Sequence, residues 1–183
     1  MLLRRLVLLF VAGAAVGFAG ALPSIASPPK PQSPAAVNEA IDQRLGVDPL
    51  LSGFARKQRD ELSCMAIAVY HESRGTSRQA QIAVGAVIRN RAAARQDRSV
   101  CGAVYAPGQF VPWTYKAVPQ LVPREPEAWR ASQRVALAVM VEGEGRELSF
   151  TNFYSGTHRP YWARHGAKIT QIGQLNFLTL PLR

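Results

Sequence analysis

Cysteine is scarce in this chain. Among 183 residues only Cys64 and Cys101 occur, and no Cys-x-x-Cys spacing exists. A pair cannot hold a metal ion by itself. Histidine is nearly as rare: His71, His158 and His165 complete the set. His71-Glu72 opens like His-Glu-x-x-His, but position 75 is Gly. His158 and His165 stand seven apart with no acid near them. A zinc site therefore lacks a ligand set at metal spacing. There is no internal repeat and no coiled-coil heptad, which excludes repeat arrays and long helical rods. Acids are few as well. Twelve Asp and Glu face 22 Lys and Arg, for a net charge of +10. That balance points to nucleic acid, anionic lipid or an acidic polymer outside the cytoplasm.

Long apolar runs are limited to one. Arg4 and Arg5 precede an uncharged stretch from Leu6 to Ala21, and Ser24-Ile25-Ala26 has small-x-small form. This is a secretory signal pattern, read as residues 1–26 with cleavage after Ala26. The alternative is an uncleaved anchor, the one case in which the chain meets the membrane. Either way the domain is exported, to the periplasm or cell envelope, and export counts against nucleic acid. An even cysteine count in an oxidising compartment favours a disulfide; two buried free thiols are the alternative. Pro23, Pro28, Pro29, Pro31 and Pro34 then crowd a short stretch. Residues 27–47 read as a Pro-rich linker, with Val37 to Phe54 a short helical or irregular lead-in to the domain. The remaining 48–183 is long enough for one domain with a core.

Within that domain, Leu62, Met65, Ala66 and Val69 recur at helical spacing and predict a helix from Asp60 through Tyr70. It should end near Ser73 to Gly75. Thr76 and Gln79 have capping-box form and would start a second helix to Ala94. A third helix is expected from Glu127 to Glu142. Strands are expected at Leu148–Tyr154 and Phe177–Leu180. The fold class is α+β, mostly helical with a small sheet.

The residue with the clearest chemistry is Glu72. An apolar run carries this carboxylate to its end, and Arg74 and Gly75 follow at once. Desolvation there raises the pKa of a carboxylic acid. A glutamic acid still protonated near neutral pH can give its proton to a leaving oxygen, as glycoside cleavage requires. The structural alternative is an ordinary ion pair with Arg74 or Arg78.

The segment Ala68-Val69-Tyr70-His71-Glu72-Ser73-Arg74-Gly75 resembles the signature of the cell-wall hydrolases typified by SleB, the spore cortex-lytic enzymes. Further pieces resemble that family in the same order. They are the Gln81 to Arg91 helix, Val100-Cys101-Gly102-Ala103-Val104-Tyr105, Gln109-Phe110, Pro160-Tyr161-Trp162-Ala163, and Ile172-Gly173 with Phe177. The resemblance spans Leu62 to Phe177. It departs at Thr76, where the family has a second glutamate. It departs again at Asn152 or Phe153, where many exported relatives have a histidine, and at Leu175, where the family's Gly-x-His-x-Phe reads Gly173-Gln174-Leu175-Asn176-Phe177. A second cysteine pair common in relatives is absent; Cys64 and Cys101 match the pair that remains.

The resemblance implies a lysozyme-like fold around one glutamate. It implies cleavage of the peptidoglycan glycan strand between N-acetylmuramic acid and N-acetylglucosamine. It further implies lytic transglycosylase chemistry, in which Glu72 is first acid and then base. The other acids after Leu62 form no obvious second motif, which suits a reaction with one carboxylate. Tyr154, Tyr161 and Trp162 are candidate sugar-stacking residues; core packing is their alternative. Asn90 and Gln109 are candidate ligands of N-acetyl groups, or they satisfy backbone. No metal and no cofactor are expected. The expected partner is peptidoglycan, and the expected state is a monomer. The competing functions are an N-acetylmuramoyl-L-alanine amidase and a noncatalytic wall-binding module.

Overall fold

Leu62 to Tyr70 contains no charged residue, so a helix built on it offers water nothing on any side. In the computed structural model, which describes residues 30–110, 113–164 and 168–182, that helix lies at the centre. Three elements must be named before it. Helix α1 is Pro34–Leu45, the short α2 is Pro49–Ser52, and the central helix α3 is Arg56–Ser73. Every residue of α3 from Leu62 to Tyr70 is buried. The sequence pattern anticipated one apolar face; the structure wraps the whole circumference, as an apolar helix requires. The wrapping comes from α1, from α4 (Arg78–Ala93), from α5 (Val100–Val104) and from α7 (Pro126–Leu137). The short α6, Val118–Leu121, precedes α7 and touches α1.

The linker expected at 27–47 is shorter than the proline pattern implied. Pro34 is the first residue of α1, where its missing N–H costs nothing, so it starts a helix there. Val37 and Ile41, one turn apart, are buried against the core. Even before the helix, Gln32 N–H donates to the Thr114 carbonyl at 2.9 Å. The packed domain therefore begins well ahead of Asp48. The expected signal segment, 1–26, lies outside the described residues. Among the described residues no helix is long and apolar enough to cross a membrane.

Helix α3 ends where expected, because Gly75 takes φ +83° and turns the chain. The cap of α4 differs from expectation. Ser77, not Thr76, accepts the Ala80 N–H, at 3.3 Å. Thr76 Oγ1 instead donates back to the Ser73 carbonyl at 2.8 Å, closing the turn. Helix α5 is fastened to α3 by charge and by covalent bond. Glu61 accepts from Ser99 Oγ and from the Val100 and Cys101 N–H groups at the start of α5. Cys64 and Cys101 form a disulfide, with Cα atoms 5.1 Å apart. The third expected helix is α7, but its last part, Ala138–Glu142, widens into a π-helix. There Val139 presses on α4 at Gly85, where a Cβ would lie 2.9 Å from Val139 Cγ2.

The sheet is small and antiparallel: β1 (Asn152–Ser155), β2 (Thr170–Ile172) and β3 (Leu175–Leu178), in the order β1-β3-β2. Phe153 stands opposite Phe177, and Ile172 opposite Leu175. Two expectations shift here. The strand expected from Leu148 starts only at Asn152. The Asn90 amide on α4 takes the Leu148 and Phe150 carbonyls, at 2.8 and 2.9 Å. The strand expected at Phe177–Leu180 runs earlier, from Leu175. β2 carries too short a pattern to be read from sequence. The architecture is α+β and mostly helical, with the sheet at one side of the bundle.

Whether α1 belongs to the folded unit is directly measurable. Ile41→Ala should destabilise the protein by about 2–5 kcal/mol in urea denaturation, the range for emptying a core site. A linker residue would change stability by less than about 0.5 kcal/mol.

Candidate active site

Glu72 sits in the last turn of α3, one residue before the helix ends. The helix delivers it there because the buried run stops at Tyr70 and the turn at Gly75 follows. The side chain is partly buried. Its Oε1 accepts a hydrogen bond from Trp113 Nε1 at 2.6 Å. Trp113 itself is only 5% exposed and is held on several sides. Its ring stacks on His71 at 4.7 Å and 21°, meets the edge of Tyr105, and leans on Phe110. His71 Nε2 lies 2.9 Å from the Leu121 carbonyl. A carbonyl only accepts, so that nitrogen carries the proton. Burial holds the imidazole below its ordinary range, against the pull of that hydrogen bond, with Arg74 and Lys116 adding to burial.

The electrostatics separate Glu72 from its neighbours in sequence. Arg74 pairs with Glu125 at 3.1 Å. Arg78 pairs with both oxygens of Glu144, at 2.6 and 2.7 Å. Neither guanidinium answers Glu72, so the simple helix-end ion pair is not what the fold builds. Burial pushes the Glu72 carboxyl above its ordinary value; the Trp113 hydrogen bond and the charge on Arg91 oppose it. The negative end of the α3 dipole acts in the same direction as burial. Arg91, on α4, donates to the Thr151 carbonyl at 2.6 Å and to Gln109 Oε1 at 2.7 Å. It also lies over the Phe110 ring, at 5.5 Å.

Two cavities open at Glu72. One, of about 350 Å³, is walled by Phe153, Tyr154, His158, Pro160 and Trp162. The other, of about 690 Å³, is walled by Thr76, Thr157, Gln171, Gln174 and Asn176. Glu72, Tyr154, Ser155 and Leu175 border both, so strand β1 is their common wall. One lobe is aromatic and the other is rich in amides and hydroxyls, with the acid between them. Such a cleft can bind a neutral polar chain across a proton donor. Among the described residues, Glu72 is the sole carboxylate on its walls.

The expected site residues divide. Tyr154 lines both lobes, and Trp162 lines the aromatic one with its ring edge-on to Tyr154 at 6.1 Å. Tyr161 is 73% exposed and borders neither lobe. Asn90 and Gln109 lie away from the cleft. The Asn90 amide is spent on the Leu148 and Phe150 carbonyls, and Gln109 accepts from Arg91. Neither borders the cleft; Gln109 lines a separate cavity with Arg91 and Arg95. Their polarity serves packing between α4 and the segments beside it. Trp113 was not anticipated at all. Its one sequence signal was an indole, a donor with no acceptor, set in a short loop after Gln109-Phe110. Among the described residues no three His, Cys, Asp or Glu come together as a metal-holding group.

A family model described as Cell Wall Hydrolase matches residues 75–178. The match begins just past Glu72 and takes in the rest of both cleft walls. Neither the curated proteins nor the solved structures give a match.

A buried acid has a stability signature. The folded state binds the Glu72 proton more tightly than the unfolded chain, where the value is 4.5. Stability is therefore lost as pH rises above that value, and the loss is absent below it. Glu72→Gln keeps the shape and the acceptor for Trp113 but never ionises. It should melt at a higher temperature than the wild type at pH 7, with the difference closing at about pH 4. Thermal melts at the two pH values check this, and a lower Tm for the variant at pH 7 would contradict it.

Proposed function

This chain belongs to the cell-wall hydrolase family, and we propose that it cuts the peptidoglycan glycan strand as a lytic transglycosylase with Glu72 as its acid and base. Membership supports the cell wall as substrate and work outside the cytoplasm. The bond between N-acetylmuramic acid and N-acetylglucosamine is the proposed point of cleavage. The observation that carries the mechanism is the lone carboxylate: the described cleft walls hold Glu72 and no second acid. Glycosidases that use two carboxylates need the partner within roughly 5–10 Å. Thr76, at the family's second glutamate, spends its hydroxyl on the Ser73 carbonyl.

The steps follow from the site. Burial favours protonated Glu72, which donates its proton to the bridging oxygen as the glycosidic bond breaks. The resulting carboxylate is met by the Trp113 N–H and the Arg91 charge, both of which favour the ionised form. The muramic acid 6-hydroxyl then attacks its own anomeric carbon and closes an anhydro ring. Glu72 takes the hydroxyl proton and returns to its starting form, with no water consumed. Tyr154 and Trp162 offer aromatic faces to the sugars, and Tyr161 offers one at the surface beside them. Asn90 and Gln109 have no part in this reading.

Residues 1–26 are proposed as the export signal, with the periplasm or envelope as destination. The disulfide fits an oxidising compartment. A strongly basic protein would be retained on an acidic wall. A monomer is proposed.

Digestion of purified peptidoglycan, read by mass spectrometry, tests the proposal. Anhydro-muramic ends are expected. Reducing ends would replace the mechanism with hydrolysis, and free peptides would point to an amidase. Glu72→Gln should lower the rate by about 100- to 10,000-fold.

A further inference from the structure

The two oxygens of Glu72 are not equivalent. Oε1 faces the Trp113 indole N–H at 2.6 Å. Indole nitrogen donates and never accepts, so the oxygen facing it serves as acceptor. In a neutral carboxylic acid the carbonyl oxygen is the better acceptor, which leaves the proton to Oε2. We propose that Trp113 is a positioning residue that assigns the proton to Oε2, so that this one oxygen both delivers the first proton and collects the second. The inference rests on the acid-then-base reading of Glu72 and adds a geometric demand to it. The 6-hydroxyl must approach the same oxygen that the departing sugar has just left.

The geometry around Trp113 suits that task. Its ring cannot turn without breaking the 4.7 Å stack on His71 and the contacts with Tyr105 and Phe110. His71 is fixed in turn by the Leu121 carbonyl. Because His71 and Glu72 are adjacent on α3, the support of the indole and the acid it holds move together. Among the described residues, the groups able to disturb this balance are few. Arg91 faces Glu72 from α4, Lys116 and Arg74 act on His71, and Arg74 is engaged by Glu125. His158 stands across the aromatic lobe.

A donor that favours the carboxylate opposes burial; without it, Glu72 would hold its proton to higher pH. Activity that needs protonated Glu72 falls on the alkaline side, so that limb reports the change. The test is a pH profile of kcat and KM on soluble glycan fragments, with the full chain as wild type and as Trp113→Phe. The Phe ring keeps the stack and loses the donor. Expected are a drop in kcat of roughly 10- to 100-fold, an unchanged KM, and an alkaline limb displaced to higher pH. A residue with a packing role alone would lower the melting temperature or kcat and leave the limb in place, which would overturn the proposal. Should the Phe variant not fold, benzothienylalanine at position 113 replaces the N–H with sulfur in the same shape. The same displacement is expected, and a wild-type profile overturns the proposal. Glu72→Gln run in parallel separates the two levels. Its full activity would sink the acid–base reading itself, whereas an inactive Glu72→Gln beside an unaltered position-113 variant would sink this inference alone.

Discussion

The burial of α3 on every side from Leu62 to Tyr70 is the constraint from which the rest follows. A helix with no face for water confines its ionised groups to the ends. At the N-terminal side Glu61 reaches the start of α5 and fastens it. At the C-terminal side Glu72 emerges partly buried, beside the turn that opens the cleft. Four other helices must meet α3 to cover it, and their packing is close enough that Gly85 has no room for a side chain beside Val139. The acid is thus placed by the core itself, on a rigid element.

Rigidity alone would leave a carboxylate free to pair with the nearest cation. The fold prevents that by giving the nearby arginines other partners. Glu125 engages Arg74, and Glu144 holds Arg78 by both oxygens. Among the described residues, what remains around Glu72 is a neutral donor, Trp113, and a more distant, half-buried charge, Arg91. Desolvation wins and favours the acid form, while these groups keep the carboxylate accessible. Desolvating an ionisable group in a cleft costs stability, a pattern that recurs at functional sites.

The small sheet contributes shape. β1 begins late because Asn90 captures the preceding carbonyls, and its residues Tyr154 and Ser155 wall both lobes. Phe177 on β3, fully buried and in contact with Phe150 and Phe153, anchors this wall to the bundle. One strand thereby faces the acid and divides an aromatic lobe from an amide-rich one.

Local pattern was enough for several of these features. The apolar run into Glu72, the glycine that ends it and the following helix were all legible, because helical periodicity and turn chemistry act over a few residues. The α+β class followed from the same signals, and an even cysteine count favoured the disulfide. Residue order also carried the family resemblance. Other features needed the folded chain. Pro34 read as a linker residue because local pattern does not show that Val37 and Ile41 find a core. Asn90 and Gln109 read equally as ligands or as backbone partners, because sequence shows a polar group without showing what already occupies it. Trp113 reaches Glu72 across 41 residues of chain, a separation that no periodicity encodes. Sequence by itself singled out Glu72 as the candidate acid; tertiary structure decided its partners, its desolvation and which of its oxygens faces a donor. Those depend on contacts between distant segments, which exist only once the core has closed.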